Sequence, residues 1–255
     1  LSEFPSMIRG NYTGCCSSLI LDEMEMNLLI ESNPNAQKFI LKLIGSSEFI
    51  SGRHRYCLWI ENEFLEEAKT ILPIQKRIDN VFIERTNSSD LGQQRIASKS
   101  HQFREFHKTT SNSIIIPVVS SSRRVYIPCG FITKDTVVPN SAQVIYDTEI
   151  FNLSIVSSKI HMCWVKLISG KLRNDIRYSS SLLYNTFPFP DISKQRKEEL
   201  TQCTLKIIDE RLKHSEKTMA QLYDPDKMPE GLKEAHHQND LAVELCYRST
   251  PFSSD

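Results

Sequence analysis

SSKIHMCWVKLISGKLRNDIRYSSSLLYNTFPFP, residues 157–190, carries three textures in succession. The first belongs to a longer stretch, 148–170, with apolar residues at 150, 153, 156, 160, 163/164, 167 and 168. That spacing predicts one long helix with an apolar face, ended by Gly170. Met162, Cys163 and Trp164 then belong to the core. The second texture is cationic: Lys166 precedes the glycine, and Lys171, Arg173 and Arg177 follow it. The third is a serine run closing on two Phe-Pro pairs, read as a last strand locked into the core by Tyr184–Pro190. Asp175 stands among the cations, placed to orient Arg173 or Arg177.

Beyond Pro190 the pattern becomes helical. Ser193 is a natural N-cap, and Leu200, Thr204, Ile207, Ile208 and Leu212 form a stripe on a charged helix reaching His214. Met219–Pro229 reads as a connector in which Asp224-Pro225-Asp226 is a turn, and Pro229 suits the first turn of a final helix ending near Tyr247. A boundary near Pro190 therefore divides residues 1–190 from residues 191–255. The expected fold is α/β in the α+β sense: a mixed domain with a small bulged β-sheet flanked by helices, then a small all-α region.

Toward the N-terminus, DEMEMNLLIESN (22–33) has acids in its first turn and reads as a helix. Pro34 opens a second expected helix, with Ala36, Phe39, Ile40, Leu43 and Ile44 on one stripe and Gly45 ending it. RYCLWI (55–60) reads as a buried strand, and 61–85 as helix that must kink or break at Pro73. Residues 86–113 are polar and read as an exposed loop with a short helix. NSIIIPVVSSSRRVYIPCGF (112–131) suggests a hairpin with SSSRR at its tip, its Pro117 and Pro128 arguing for edge or bulged strands. AQVIYD (142–147) is a further strand.

The 255 residues include 24% charged and 40% hydrophobic residues, enough for a sizeable core. No run of eighteen apolar residues exists to span a membrane, and LSEFPSMIRG lacks the form of a signal peptide. A start at Leu1 is what a segment of a longer protein would show. Seven scattered cysteines without a CxxC pair point to buried thiols in a reducing cytoplasm, with no metal site expected. Adjacent His236 and His237 would point about 100° apart on a helix.

Net charge is zero, but it is unevenly spread: −4 over residues 1–94, +7 over 95–180 and −3 over 181–255. A basic middle between acidic flanks bears on partners, and a polyanion is the first suspect. Motifs for bond-making are missing. With 8 glycines there is no GxGxxG or GxxxxGK[ST] loop, and no HExxH, GxSxG or DxDxDG motif occurs. The Asn-Pro-Pro-aromatic loop by which amino-methyltransferases hold a target amine is absent too. Arginines beside Ser, Asn and Gln are, by contrast, groups that position phosphates and read base edges.

Several stretches resemble the C-terminal third of the MmeI-like single-chain type II restriction-and-modification enzymes. These are GSSEFISGRHRYCLWI (45–60), VVSSSRRVYIPCGF (118–131), the 157–190 block, and LYDPDKMPEGLKEAHHQNDLAVELCYR (222–248), in the family's order. Ser122 stands where the family has Glu before Arg-Arg, Thr186 where it has Asn, Phe189 where it has Trp, and Cys15-Cys16 where paired glycines are usual. With Ser122 there, no neighbouring carboxylate is expected to orient Arg123.

The resemblance implies a target recognition domain followed by a helical C-terminal region. Adenine-N6 methyl transfer from S-adenosylmethionine, with or without an endonuclease, would lie in an upstream domain of the same polypeptide. This segment by itself would have no catalytic residues and no cofactor. Double-stranded DNA would be its partner. Arg104, Lys134, Lys171, Arg173 and Arg177 are expected to position phosphates. The 120–124 turn (Ser121, Ser122, Arg123, Arg124) and the 134–143 turn (Asn140, Gln143) are expected to read base edges, with Tyr178 beside them. Two other classes stay open at this level: a protein–protein scaffold using the stripe on the 193–214 helix, and an independent enzyme.

Overall fold

Residues 4–172, 175–250 and 252 are described by the computed structural model, with backbone alone at 170–172. Arg173 therefore lies outside the described residues, as does the Lys171 side chain. Three small sheets flanked by helices make up the mixed part of the fold. The first is antiparallel, in the order β1 (Met7–Arg9), β9 (Ala142–Ile145), β5 (Ser113–Pro117), β7 (Gly130–Ile132). The second runs β2 (Ile20–Leu21), β4 (Arg55–Leu58), β3 (Ile40–Leu43), β8 (Thr136–Val137), the last pair parallel. The third joins β10 (Gly170–Leu172), β11 (Asp175–Arg177) and β6 (Val119–Ser121).

Helix α1 (Glu23–Ser32) forms where the sequence predicts one, and the structure adds its start: Asp22 accepts from the Glu25 amide while the Glu25 carboxylate accepts from the Asp22 amide. The helix expected from Pro34 is instead one tight turn, Pro34–Phe39, running into β3. Ile40, Leu41 and Leu43 pair with β4, and sheet burial overrides the helical spacing. Gly45 does not end that element; it precedes α2 (Ser46–Ser51). Pro73 breaks its segment as expected, separating α3 (Leu65–Lys69) from α4 (Leu72–Thr86).

The region after α4, with α5 (Leu91–Arg95), is less exposed than its polarity suggests, because Arg85 is fully buried beneath it. Arg85 Nη1 donates to the carbonyls of Ile96 (3.2 Å) and Lys99 (2.7 Å). Its Nη2 donates to Gln102 O (2.7 Å) and Cys16 Sγ (2.9 Å). Burial pushes the Cys16 thiol up to about 11 against the pull of Arg85, so the sulfur accepts as a neutral thiol. Ser100, His101, Gln102 and Phe103 are buried as a result.

The expected hairpin over 112–131 is corrected in a way that matters for function. β5 pairs with β7, but the chain leaves this sheet after Pro117, and β6 joins β11 in the third sheet. β5 is an interior strand, with Pro117 as its last residue. The long helix expected over 148–170 is two, α6 (Phe151–Val156) and α7 (Lys159–Ile168). Ser157 Oγ donates back to Leu153 O (2.7 Å), and Ser158 Oγ accepts from the His161 amide (3.2 Å), so the serine pair ends one helix and caps the next. Gly170 begins β10 rather than ending a helix. Met162 is buried and Trp164 half-buried, but Cys163 is exposed. No strand follows the serine run: Ser180–Tyr184 form a wide helical turn, after which Phe187 packs edge-on against Phe189 and Trp164.

In the C-terminal part, α8 (Lys194–Leu212) is capped by Ser193 as expected, and α9 (Met219–Leu222) and α10 (Glu230–Glu244) follow. α8 packs on α6 and α10. Among the described residues no helix is long and apolar enough to cross a membrane.

Replacing Arg85 by Met keeps the bulk and removes every donor. The carbonyls of Ile96, Lys99 and Gln102 would then be left unfilled, at a cost of about 3 kcal/mol or more, read as a lowered urea midpoint.

Candidate nucleic-acid interface

One cleft gathers several of the residues singled out by sequence. Arg9, Val118, Gln143, Arg177, Tyr178, Ser179–Ser181 and Leu182 line a cavity of about 430 Å³. Arg9 and Gln143 are there because β1 and β9 place them directly opposite each other. Arg9 Nε donates to the Asn140 carbonyl (2.6 Å), which fixes the arginine stem against the 139–141 turn. Gln143 is buried; its amide Nε2 donates to Tyr178 O at 3.4 Å, and its Oε1 has no hydrogen-bond partner among the described residues. A buried acceptor left open at a cleft is costly unless a ligand fills it. Arg177 is exposed on β11.

The 120–124 turn adjoins this cleft, since Val119 and Ser121 on β6 pair with Arg177 and Asp175 on β11. Ser122 and Arg123 are exposed, and Ser121 is half-buried with its Oγ accepting from the Arg123 amide at 3.4 Å. Arg124 Nη1 donates to Ser120 Oγ at 3.2 Å. Burial lowers the Arg124 pKa, while the charges of Asp175 and Asp224 work to raise it. The charge of Asp175 thus acts on Arg124, which its place in the sequence did not indicate.

Other expected contacts fall elsewhere. Tyr178 is buried, its hydroxyl 2.8 Å from His161 Nε2, so its side chain belongs to the core and only its carbonyl reaches the cleft. Burial brings the His161 pKa down to about 3, keeping the ring neutral in that pair. Arg104 is exposed beside Glu105 (3.6 Å) and 5.9 Å from the Tyr12 ring centroid. Lys134 is exposed in the turn between β7 and β8. Asn140 contributes its backbone: its amide donates to Asn11 O (2.7 Å) and its carbonyl accepts from Arg9.

Sequence reasoning missed Arg9 and Asp226. Arg9 lies in a three-residue strand with no pattern of its own, and only pairing with β9 brings it to Gln143. Asp226, read as part of a simple turn, lies 2.5 Å from Arg123 Nη2 across 103 residues of sequence. The carboxylate that meets Arg123 thus comes from the C-terminal part. Nearby, Asp240 on α10 is buried and accepts from Tyr126 OH (2.7 Å) and the Lys159 amide (2.8 Å).

The chain belongs to the MmeI family: residues 1–191 match the MmeI target recognition domain and residues 191–255 the MmeI C-terminal domain. It is 41% identical over 255 residues to DNA methyltransferase A of Bacillus subtilis (strain 168), covering all of this chain and 29% of that protein. Its fold matches that of the Type IIL restriction-modification enzyme MmeI, solved in complex with DNA, with a TM-score of 0.92 and 29% identity over 99% of this chain and 34% of that one. The chain spans about a third of the length of these two relatives.

Burial raises the Asp240 pKa to about 6 despite its hydrogen bonds to Lys159 and Tyr126. A carboxyl whose folded pKa lies above its unfolded value favours the folded state more as pH falls through that window. Wild type should therefore gain stability over Asp240→Asn between pH 7 and pH 4, by up to ~3 kcal/mol, in paired urea titrations.

Proposed function

We propose that the chain is the sequence-reading module of an adenine-N6 DNA methyltransferase, with or without a linked endonuclease. Residues 1–190 meet duplex DNA and residues 191–255 brace them. The observation that carries this reading is the cleft in which Arg9, Arg177 and the open acceptor of Gln143 converge, next to the exposed Ser122-Arg123 turn. Arginine positions phosphates, and a forked guanidinium or an amide reads base edges. Support also comes from membership in a family whose solved relative is a complex with DNA. Arg104 and Lys134, exposed away from the cleft, are further cations for phosphate contact, and Lys171 and Arg173 take the same role on their sequence alone.

S-adenosylmethionine does not fit this chain, which has neither a glycine-rich loop nor an Asn-Pro-Pro-aromatic motif. The cofactor belongs to the methyltransferase domain of the parent polypeptide. This module grips the duplex there while that domain turns an adenine out of the stack. The scaffold alternative loses most of its stripe, since Leu200, Thr204 and Ile207 of α8 are buried within the chain itself and Ile208 is half-buried, which leaves Leu212 exposed.

Titration of a labelled duplex at two salt concentrations should show affinity falling steeply with salt, and Arg177→Ala should lower the log–log slope by about 1. Affinity that ignores salt would rule out the phosphate contact. Arg123→Ala with Arg177→Ala should abolish binding without changing the mass in solution; a change of mass would favour the scaffold class.

A further inference from the structure

The C-terminal part packs apolar side chains, Ile207, Leu222 and Met228 among them, on Tyr126, and it also reaches the 120–129 segment through directional polar contacts. At the tip, the exposed Arg123 guanidinium meets Asp226, 2.5 Å away. Two residues past Arg124, the buried Tyr126 hydroxyl donates to Asp240 on α10 at 2.7 Å, and its ring stacks on His236 at 4.1 Å between centroids. At the far end, Arg211 on α8 donates to Cys129 O at 2.8 Å and also bonds the Tyr223 hydroxyl. That hydroxyl lies 2.8 Å from His236 Nε2, which closes a connected set. Gly130 then begins β7 where a side chain would meet the Phe49 ring at 3.0 Å and come within 3.7 Å of Arg211.

Burial alone would be met more cheaply by apolar packing, since buried polar groups stabilise only when every partner is in place. What such a network supplies is a fixed geometry, and here it fixes one loop. Arg123 in particular has no carboxylate beside it in sequence, because Ser122 precedes it. An unpaired arginine at a loop tip samples many rotamers, whereas the carboxylate of Asp226 favours the rotamers that reach it.

We propose that Asp226, Asp240 and their tyrosine and arginine partners make the C-terminal helices part of the reading apparatus. By holding Arg123 and Tyr126 they set the conformation of the 120–126 turn, and thereby determine base preference without touching DNA. This rests on the reading of that turn as a base-reading element. Asp226, Asp240 and Tyr126 are positioning residues, so changing them should alter which sequences are chosen and leave the phosphate grip intact.

The test is selection from a duplex pool with a randomised ten-base-pair core, using the 255-residue chain. Affinity for a fixed unrelated duplex, its salt slope and the thermal midpoint are measured alongside. Wild type is expected to enrich a defined sequence. Asp226→Asn, a surface change that cannot unfold the core, and Tyr126→Phe should each relax that preference on the order of tenfold at one or two adjacent positions. Affinity for the unrelated duplex and its salt slope should not change. Asp226→Glu should restore the preference. Variants that enrich the wild-type sequence to the same depth overturn the proposal. So does a loss of all binding in proportion to a lowered thermal midpoint, which marks a structural role only. If wild type enriches no sequence at all, the DNA-reading function itself falls, and this inference with it.

Discussion

Pro117 is where the fold is committed. Its ring leaves no amide hydrogen to carry the ladder further, and at the next residue the chain changes sheets. The Val118 amide donates to Ser46 Oγ (3.0 Å), which itself donates to the Ser141 carbonyl, and the Val118 carbonyl accepts from Tyr178 N at 2.7 Å. Three distant segments, 46, 141 and 178, therefore meet at one residue. From there β6 runs beside β11, and the Ser-Arg turn stands beside the Arg9–Gln143 cleft rather than at the end of the first sheet. Without that exchange, the cations of 120–124 and 177 would lie on separate elements.

The same economy of short strands explains why the molecule relies on buried polar groups. Two- to five-residue strands form few ladder bonds, and side chains take over the closure. Asn11 shows this at the edge of the first sheet: its Nδ2 donates to His107 O (2.8 Å) and Val138 O (3.2 Å), and its Oδ1 accepts from the His107 amide. Asp147, in a left-handed conformation at φ 48°, accepts from the amides of Thr110 and Ser111, both at 2.7 Å. Those bonds hold its carboxyl below the usual range against the opposing effect of burial. Arg85 performs the same closure inside the 96–102 segment. Each is a local clamp, and together they allow loops to pack as firmly as sheet.

The C-terminal helices belong to this scheme. Their apolar side, Leu200 and Val243 among others, packs against Phe151, Ile155 and Phe187, so the helices bury a core with the mixed part of the chain. Their polar side supplies Arg211 and Asp240 to the recognition segment, and the turn before α10 supplies Asp226. The two sides of α8 and α10 thus combine hydrophobic attachment with directional hydrogen bonds, and the second depends on the first.

Residues 1–255 determined a good deal unaided. The helix after Asp22 with acids in its first turn, the cap at Ser193, the break at Pro73, the strands at 55–58 and 142–145 and the last two long helices follow from local chemistry, because caps and prolines act within one turn. The cationic middle and the family motifs were equally legible, and so was the class of module. Tertiary structure alone decided the rest. The Pro34 segment lost its helical reading from Ile40 on to strand pairing, and the single helix read over 148–170 was split in two by its paired serines, effects of neighbours that the local pattern does not contain. The partner of Arg123 lies 103 residues away, and Arg9 meets Gln143 only through strand register. Side-chain meetings at such separations depend on the path of the whole chain, and no spacing in the sequence encodes them.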